Sequence, residues 1–215
     1  MFSRRNISLA AGMAAAVALT AGALIASTAD ASPLVAPGQP VPGFTGTNSN
    51  GETVSLADFS GRTVVLEWTN DGCPFVQKHY ATPPANMQTL QSYARADDVV
   101  WLSVISSAPG KQGHVTGDEA NELTAVRDAM PNHVLLDETG EIGHLYGAKT
   151  TPHMYVIRPD GTLAYEGAID SEPSARVDDI AGATNYVRAA LDSVAAGEAV
   201  AVPSSKPYGC SVKYD

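Results

Sequence analysis

The chain contains 215 residues, which suits one domain together with a targeting segment. Hydrophobic residues form 44% of it, enough for an ordinary globular core. The formal net charge is −10 and Lys and Arg form no cluster, so we expect no nucleic-acid partner.

The first residues carry the pattern of an export signal. Arg4 and Arg5 precede an apolar run over residues 7–26, and the small-x-small pattern Ala29-Asp-Ala31 follows. The paired arginines resemble a twin-arginine signal, so residues 1–31 predict an exported protein, periplasmic or otherwise extracytoplasmic. An uncleaved membrane anchor is the alternative, because the run approaches the ~20 residues that a span needs. Only in that case would a membrane be a partner.

The rest of the chain alternates predicted strands and helices. Residues 32–43 are rich in proline and are interpreted as a linker. Apolar runs bounded by turn residues predict strands at 44–47, 53–56, 63–68, 99–105, 133–136, 153–157 and 162–165. Helices are predicted to begin at Pro74 and to cover 85–95, 118–129, 141–146 and 179–195, with Asp118 as an N-cap.

This alternation, which closes on a hairpin and a helix, predicts an α/β fold with a mixed sheet. The domain is expected over residues 44–196. Residues 197–215 lack periodicity and contain Pro203, Pro207 and Gly209, so they are interpreted as an irregular C-terminal tail.

The chain has two cysteines, Cys73 and Cys210. Cys73 lies where a strand gives way to a helix that begins at Pro74. The positive end of a helix dipole stabilises a thiolate, which is the reactive form of cysteine. A buried, inert cysteine is the alternative. In an oxidising compartment two thiols also favour one disulfide.

Several motifs recur in a recognisable order. They are Pro42-Gly-Phe44, the strand 64–68 followed by Cys73-Pro74, Leu136-Asp137, Tyr146-Gly147, Thr151-Pro152 and Pro159-Asp-Gly161. Together they resemble the redoxin (AhpC/TSA-like) branch of the thioredoxin superfamily, which includes peroxiredoxins and periplasmic thiol-disulfide reductases. The segments 70–80, 106–113 and 207–214 are similar to a peroxiredoxin-like subgroup of that branch.

The resemblance implies a thioredoxin-like fold, in which a central mixed sheet is flanked by helices. An N-terminal hairpin and an irregular C-terminal tail would extend it. It also implies that Cys73 is the catalytic thiol and that the Thr151-Pro152 bond is cis and lies beside it. Backbone groups of Thr151 would then be free to hold a substrate. Trp68, Asn70 and Pro74 would surround the site.

The sequence departs from both standard redoxin mechanisms. Thioredoxin-type reductases carry a second cysteine three residues after the first, where this chain has Val76. Typical peroxiredoxins have Pro and Thr or Ser at the positions of Leu66 and Asn70. The Asn70 side chain could still hydrogen-bond a peroxide or the thiolate, but it lacks the single hydroxyl that both donates and accepts.

Cys210 is the remaining candidate partner for Cys73. The tail is long enough to reach across a small domain, since an extended chain covers roughly 3.3 Å per residue. Cys210 could resolve a sulfenic acid on Cys73, form a static disulfide with it, or pair with another subunit. We favour a pair between Cys73 and Cys210, either redox-active or static.

Other residues give weaker indications of function. Glu67 interrupts an apolar strand and is either a buried carboxylate that relays protons or a residue on a polar face of the sheet. Trp68 either shields the site or packs in the core. The five histidines show no helical metal spacing, so we expect no metal and no cofactor.

The sequence therefore predicts a thiol-dependent oxidoreductase with peroxiredoxin-like antioxidant activity through Cys73. Its substrate would be a peroxide or a protein or small-molecule disulfide, and an external thiol would be the reductant. The alternatives are a periplasmic thiol-disulfide exchange protein and a non-enzymatic binding protein whose Cys73–Cys210 disulfide is structural.

Overall fold

A computed structural model describes residues 35–215. The predicted signal peptide and the first residues of the predicted linker lie outside these described residues. Residues 35–43 lie along a hairpin of the domain, where the Gly38 amide donates to the Leu163 carbonyl oxygen at 2.8 Å and the Val41 amide to that of Gly161 at 3.0 Å. Within residues 35–215, no helix combines the length and apolar character that a membrane span requires.

Nine strands and five α-helices occur in the described part. The strands are β1 (Thr45–Asn48), β2 (Thr53–Ser55), β3 (Val64–Trp68), β4 (Val100–Ile105), β5 (His133–Leu136), β6 (Thr150–Thr151), β7 (His153–Ile157), β8 (Leu163–Gly167) and β9 (Cys210–Ser211). The α-helices are α1 (Pro74–Tyr80), α2 (Asn86–Ala96), α3 (Gly117–Val126), α4 (Glu141–Tyr146) and α5 (Tyr186–Ala195).

Seven strands form one mixed sheet in the order β2-β1-β5-β4-β3-β7-β8. β3 is parallel to β4 and antiparallel to β7, so it has neighbours on both sides. β6 and β9 form a separate antiparallel pair. The predicted α/β fold with a central mixed sheet and an N-terminal hairpin is confirmed.

Side chains of β3 alternate between two cores because successive residues of a strand point to opposite faces. Val65 packs with residues of α1, α2 and α5. Val64, Leu66 and Trp68 pack on the other face with residues of α4. All five residues of the strand are buried, as expected for a strand covered on both faces.

Two helix predictions were wrong in detail. The N-cap of α3 is Thr116 rather than Asp118, because Thr116 and Glu119 form a reciprocal capping box. The segment expected to be one helix from 179 to 195 is a 3-10 helix over Val177–Gly182 followed by α5. The Asn185 side chain accepts a hydrogen bond from the Arg188 amide at 2.9 Å and so starts a new helix there.

Candidate active site at Cys73 and Cys210

Cys73 lies in the tight loop between β3 and α1. Its amide donates to the Asn70 carbonyl oxygen at 3.1 Å, and its own carbonyl oxygen accepts from the amides of Val76 and Gln77, both at 2.9 Å. Cys73 is therefore the N-cap of α1, and Pro74 occupies the first helical turn, where its missing N–H costs nothing. The predicted position of Cys73 at a helix start is confirmed.

The Asn70 side chain holds this loop together. Its Oδ1 accepts from the Gly72 amide at 2.9 Å, and its Nδ2 donates to the Gln112 carbonyl oxygen at 3.0 Å. Gly113 leaves room for this arrangement, because a Cβ there would overlap the Asn70 amide group. Both polar ends of Asn70 are thus engaged with backbone groups and not with Cys73.

The strand β6, which ends just before Pro152, faces the Cys73 thiol. The Thr151-Pro152 bond is cis, as predicted. The Cys73 side chain is completely buried, and its Sγ lies 3.1 Å from the Thr151 carbonyl oxygen, to which the thiol donates. The predicted proximity of Cys73 to the cis-proline is therefore confirmed.

The tail brings Cys210 to the same point. β9 pairs with β6 so that Cys210 lies opposite Thr151. Gly209 precedes it with φ at 128°, and a Cβ on that residue would overlap the Thr151 carbonyl oxygen. Glycine is required here by both the backbone angle and the close approach. Cys210 is thereby brought within hydrogen-bonding reach of Cys73, and both cysteines are free thiols.

The environment makes the two thiols unequal. Burial opposes ionisation of Cys73, but hydrogen bonds outweigh it and lower the pKa of the Cys73 thiol. The donors are the Cys210 thiol, the Thr151 hydroxyl and the amides of Cys210 and Val76. Burial and the neighbouring Cys73 sulfur raise the pKa of Cys210 to about 11. Cys73 is therefore the thiol that ionises first.

The Thr151 hydroxyl is a feature that the sequence did not reveal. Thr151 is buried, and apart from its effect on Cys73 its Oγ1 has no hydrogen-bond partner in the described residues. Buried hydroxyls in proteins are almost always hydrogen-bonded. Because the Cys73 sulfur is its one partner among the described residues, this hydroxyl can turn to an oxidant that arrives at that sulfur.

Glu67 and Trp68 lie at the end of β3, just before the loop that carries Cys73. Trp68 donates from Nε1 to Ser106 Oγ at 2.9 Å and packs in the core on the opposite face from Cys73. Of the two roles predicted for Trp68, shielding the site and packing in the core, the geometry matches the second. Glu67 is fully buried and accepts hydrogen bonds from Tyr80, Trp101 and Ser103. Burial raises the pKa of Glu67, so the sheet does not present it on a polar face.

Within residues 35–215, His, Cys, Asp and Glu side chains form no group of three that could hold a metal ion. The candidate site thus consists of two thiols, a cis-proline strand and a buried hydroxyl. That set of groups can perform thiol-disulfide chemistry.

Comparisons with known proteins identify a family and two structures with a similar fold. The model of the AhpC/TSA family matches residues 37–166. An uncharacterized conserved protein from Geobacillus kaustophilus is 26% identical with a TM-score of 0.69, and the match covers 84% of this chain and 93% of that one. A hypothetical protein from Sinorhizobium meliloti 1021 is 18% identical with a TM-score of 0.70, covering 84% and 96% of the two chains. No curated protein matches the sequence.

Proposed function

Because the chain belongs to the AhpC/TSA family, we propose that it is a thiol-dependent oxidoreductase in which Cys73 is the nucleophile and Cys210 resolves the product. The observation that carries the proposal is the β6–β9 pair, which sets Cys210 opposite Thr151 while the Cys73 thiol donates to the Thr151 carbonyl oxygen. Residues 44–196 form the redoxin domain in this proposal, and residues 197–215 form a tail that supplies the second thiol.

The first candidate oxidant is a peroxide. The Cys73 thiolate attacks one peroxide oxygen, the O–O bond breaks, and the other oxygen leaves as water or an alcohol after gaining a proton. The Cys210 thiol then attacks the sulfenic sulfur, and the hydroxyl leaves with the thiol proton as water. Two electrons pass from the two sulfurs to the peroxide, and an external thiol restores the dithiol by exchange.

Burial of Cys73 favours a small oxidant. The Cys73 side chain has no exposed surface, so a peroxide reaches it with less displacement of the tail than a folded protein would require. The Thr151 hydroxyl supports the same reading, since it can both donate to one peroxide oxygen and accept from the other. In this proposal Thr151 supplies the hydroxyl that peroxiredoxins carry at the position of Asn70.

Thiol-disulfide exchange is the second candidate, and the β6–β9 pair favours it. An extended chain with a cysteine opposite Thr151 already lies on the edge of β6, and a substrate strand of the same kind could replace it. Cys73 would attack the substrate disulfide and release one thiolate. Cys210 would then displace the other and close the same Cys73–Cys210 disulfide.

The place of action follows from the N-terminal sequence. We propose that residues 1–31 direct export and are removed, so that the protein acts outside the cytoplasm. Disulfides persist in such compartments, and turnover there requires a dedicated thiol reductant. The non-enzymatic alternative is a permanent Cys73–Cys210 disulfide that only fastens the tail.

The test is a peroxide assay with single-cysteine variants. Reduced protein is mixed with hydrogen peroxide, and peroxide loss, sulfenic acid and the intramolecular disulfide are followed by a sulfenic-acid probe and mass spectrometry. Wild type should form the disulfide and turn over with an external thiol. Cys210→Ser should accumulate sulfenic acid. Cys73→Ser should form neither sulfenic acid nor the intramolecular disulfide.

Each other outcome has a defined meaning. Peroxide consumption that survives in Cys73→Ser would exclude Cys73 as the nucleophile. A lack of reaction with peroxide, together with rapid reaction of wild type with a small disulfide, would replace the first candidate by the second. A disulfide that no thiol reductant opens in native protein would leave the binding-protein alternative.

A further inference from the structure

A buried ionic cluster lies beneath the tail and takes no part in the chemistry above. Lys78 and His79 come from α1, and Asp170 follows β8. The side chains of Lys78 and His79 are 0% exposed and that of Asp170 is 2% exposed. Lys78 Nζ donates to the Glu172 carbonyl oxygen at 2.9 Å and lies 3.6 Å from Asp170 Oδ2. Since a buried ion pair recovers little of its desolvation free energy, stability alone does not account for this cluster.

Tyr208 connects the tail to the cluster. Its hydroxyl donates to Asp170 Oδ1 and lies 3.1 Å from His79 Nε2. His79 Nδ1 accepts from the Asn86 amide group at 2.8 Å, which assigns the ring proton to Nε2 and makes His79 the donor to Tyr208. The Tyr208 hydroxyl thus uses both its donor and its acceptor capacity.

The Tyr208 ring is fixed as well as the hydroxyl. Its centroid is 5.9 Å from that of Phe75 in an edge-on arrangement and 5.6 Å from Lys78 Nζ. Burial and the Asp170 carboxylate raise the pKa of Tyr208, so the hydroxyl keeps its proton and remains a donor. Phe75, Lys78 and His79 all belong to α1, the helix that Cys73 caps.

The link from Tyr208 to Cys210 is short and constrained. The single intervening residue is Gly209, which is held against the Thr151 carbonyl oxygen. Two residues of extended chain span about 7 Å at most. Anchoring Tyr208 to α1 therefore limits how far Cys210 can move from Cys73.

We propose that Tyr208 is a positioning residue, whose hydroxyl contacts with Asp170 and His79 hold Cys210 beside Cys73 and thereby favour closure of their disulfide. The inference rests on the proposed function of the two thiols. The dithiol form tolerates release of the tail, whereas the disulfide form requires the tail to be docked. Weaker docking consequently shifts the equilibrium toward the dithiol.

The experiment measures that equilibrium in the full chain. Wild type, Tyr208→Phe and Tyr214→Phe are incubated in buffers of reduced and oxidised glutathione, and the fraction of Cys73–Cys210 disulfide is read by thiol trapping and mass spectrometry. Oxidation of the two thiols is balanced by reduction of one glutathione disulfide to two thiols. Tyr214→Phe is the matched control, because it removes a tail hydroxyl that donates to the Ala148 carbonyl oxygen at 2.9 Å.

Tyr208→Phe should lower the equilibrium constant for disulfide formation about tenfold, the effect of roughly one net hydrogen bond to a charged group. Tyr214→Phe should stay within about twofold of wild type, and circular dichroism should show all three proteins folded. His79→Gln, which removes the ring beside the Tyr208 hydroxyl and leaves Asp170 paired with Lys78, should give an intermediate value and replaces Tyr208→Phe if that variant does not fold.

Equal equilibrium constants for disulfide formation in wild type and the folded Tyr208→Phe variant would overturn the inference. Equal losses in the Tyr208 and Tyr214 variants would overturn it too, because the whole tail rather than Tyr208 would then set the position of Cys210. If wild type forms no intramolecular disulfide in any buffer, the proposed function itself fails. The two failures are therefore distinguishable.

Discussion

The two thiols belong to regions of different character. Cys73 follows β3, which has neighbours on both sides in the seven-stranded sheet, and its side chain is part of a main hydrophobic core. Cys210 lies in a tail with a single two-residue strand, which is attached through separate side-chain and backbone contacts. Such segments open at a lower free energy than the core of a domain. The nucleophile is thus held by the global fold, and its partner is held by contacts that can release.

Removal of the tail tests this difference most strongly. Deletion of residues 207–215 should leave the seven-stranded sheet folded and should expose Cys73. Alkylation of Cys73 by iodoacetamide should then be about tenfold to a hundredfold faster than in full-length Cys210→Ser, because two or more hydrogen-bonded contacts no longer close the site. The rate is measured by mass spectrometry under native conditions.

The shorter deletion of residues 213–215, made in the Cys210→Ser chain, is the control, since it keeps Tyr208 and the β6–β9 pair. It should change the alkylation rate by less than about threefold. Equal rates for the long deletion and the full-length Cys210 variant would mean that the tail does not cover Cys73 in solution.

The cluster under the tail should make stability depend on pH. Burial lowers the pKa of His79 from 6.5 to about 4; the Asp170 carboxylate opposes this shift and the Lys78 ammonium adds to it, both by smaller amounts. Because the folded state disfavours the protonated ring, the stability linked to His79 is complete above pH 6.5 and declines as the pH falls toward 4. At pH 5 the loss should be about 1–2 kcal/mol.

Urea unfolding of wild type and His79→Asn is measured between pH 4 and pH 6.5. The difference between the two proteins separates the contribution of His79 to stability from those of other titrating groups. The wild-type free energy of unfolding should decline more steeply with acidification than that of the variant. Parallel pH profiles would show that His79 titrates normally and that the tail cluster is solvated.

Sequence patterns predicted the central part of the molecule better than the tail. The run Val64–Trp68 and the turn to Pro74 carry local signals of burial, period and capping, so the position of Cys73 was predictable. The β9 strand has two residues and no periodicity. Its pairing with β6 depends on contacts between distant parts of the chain.

The side-chain surroundings of the site were less predictable for the same reason. Lysine is rarely buried without a partner, and the partner of Lys78 is Asp170, far away in the chain. Asn70 was a candidate to hydrogen-bond a peroxide or the thiolate, but local turn formation engages both of its polar ends. The Thr151 hydroxyl, whose one partner among the described residues is the Cys73 sulfur, depends on packing that no sequence pattern reports.

The Thr151 hydroxyl allows a test of the chemistry at Cys73. Thr151→Val keeps the shape of the side chain and removes the hydroxyl, so the rate of sulfenic acid formation with hydrogen peroxide should fall about tenfold. Stopped-flow measurement of a single turnover isolates this step. Thr150→Val is the matched control, because the neighbouring hydroxyl donates to the Pro152 carbonyl oxygen at 3.1 Å.

The control variant should react at nearly the wild-type rate. Equal losses in both variants would indicate a general disturbance of β6. An unchanged rate in Thr151→Val would remove the hydroxyl from the peroxide mechanism and would leave disulfide exchange as the better-supported reaction.

The smallest expected effect concerns the influence of one thiol on the other. The Cys210 thiol is the first of the hydrogen-bond donors that lower the pKa of Cys73. Serine at position 210 retains a side-chain donor and alanine does not, and both variants contain a single cysteine. The pKa of Cys73, read from thiolate absorbance against pH, should therefore be higher in Cys210→Ala than in Cys210→Ser. If the two values coincide, the tail contributes only its backbone amide to the thiolate, and the two regions are coupled through the strand pair rather than through the thiols.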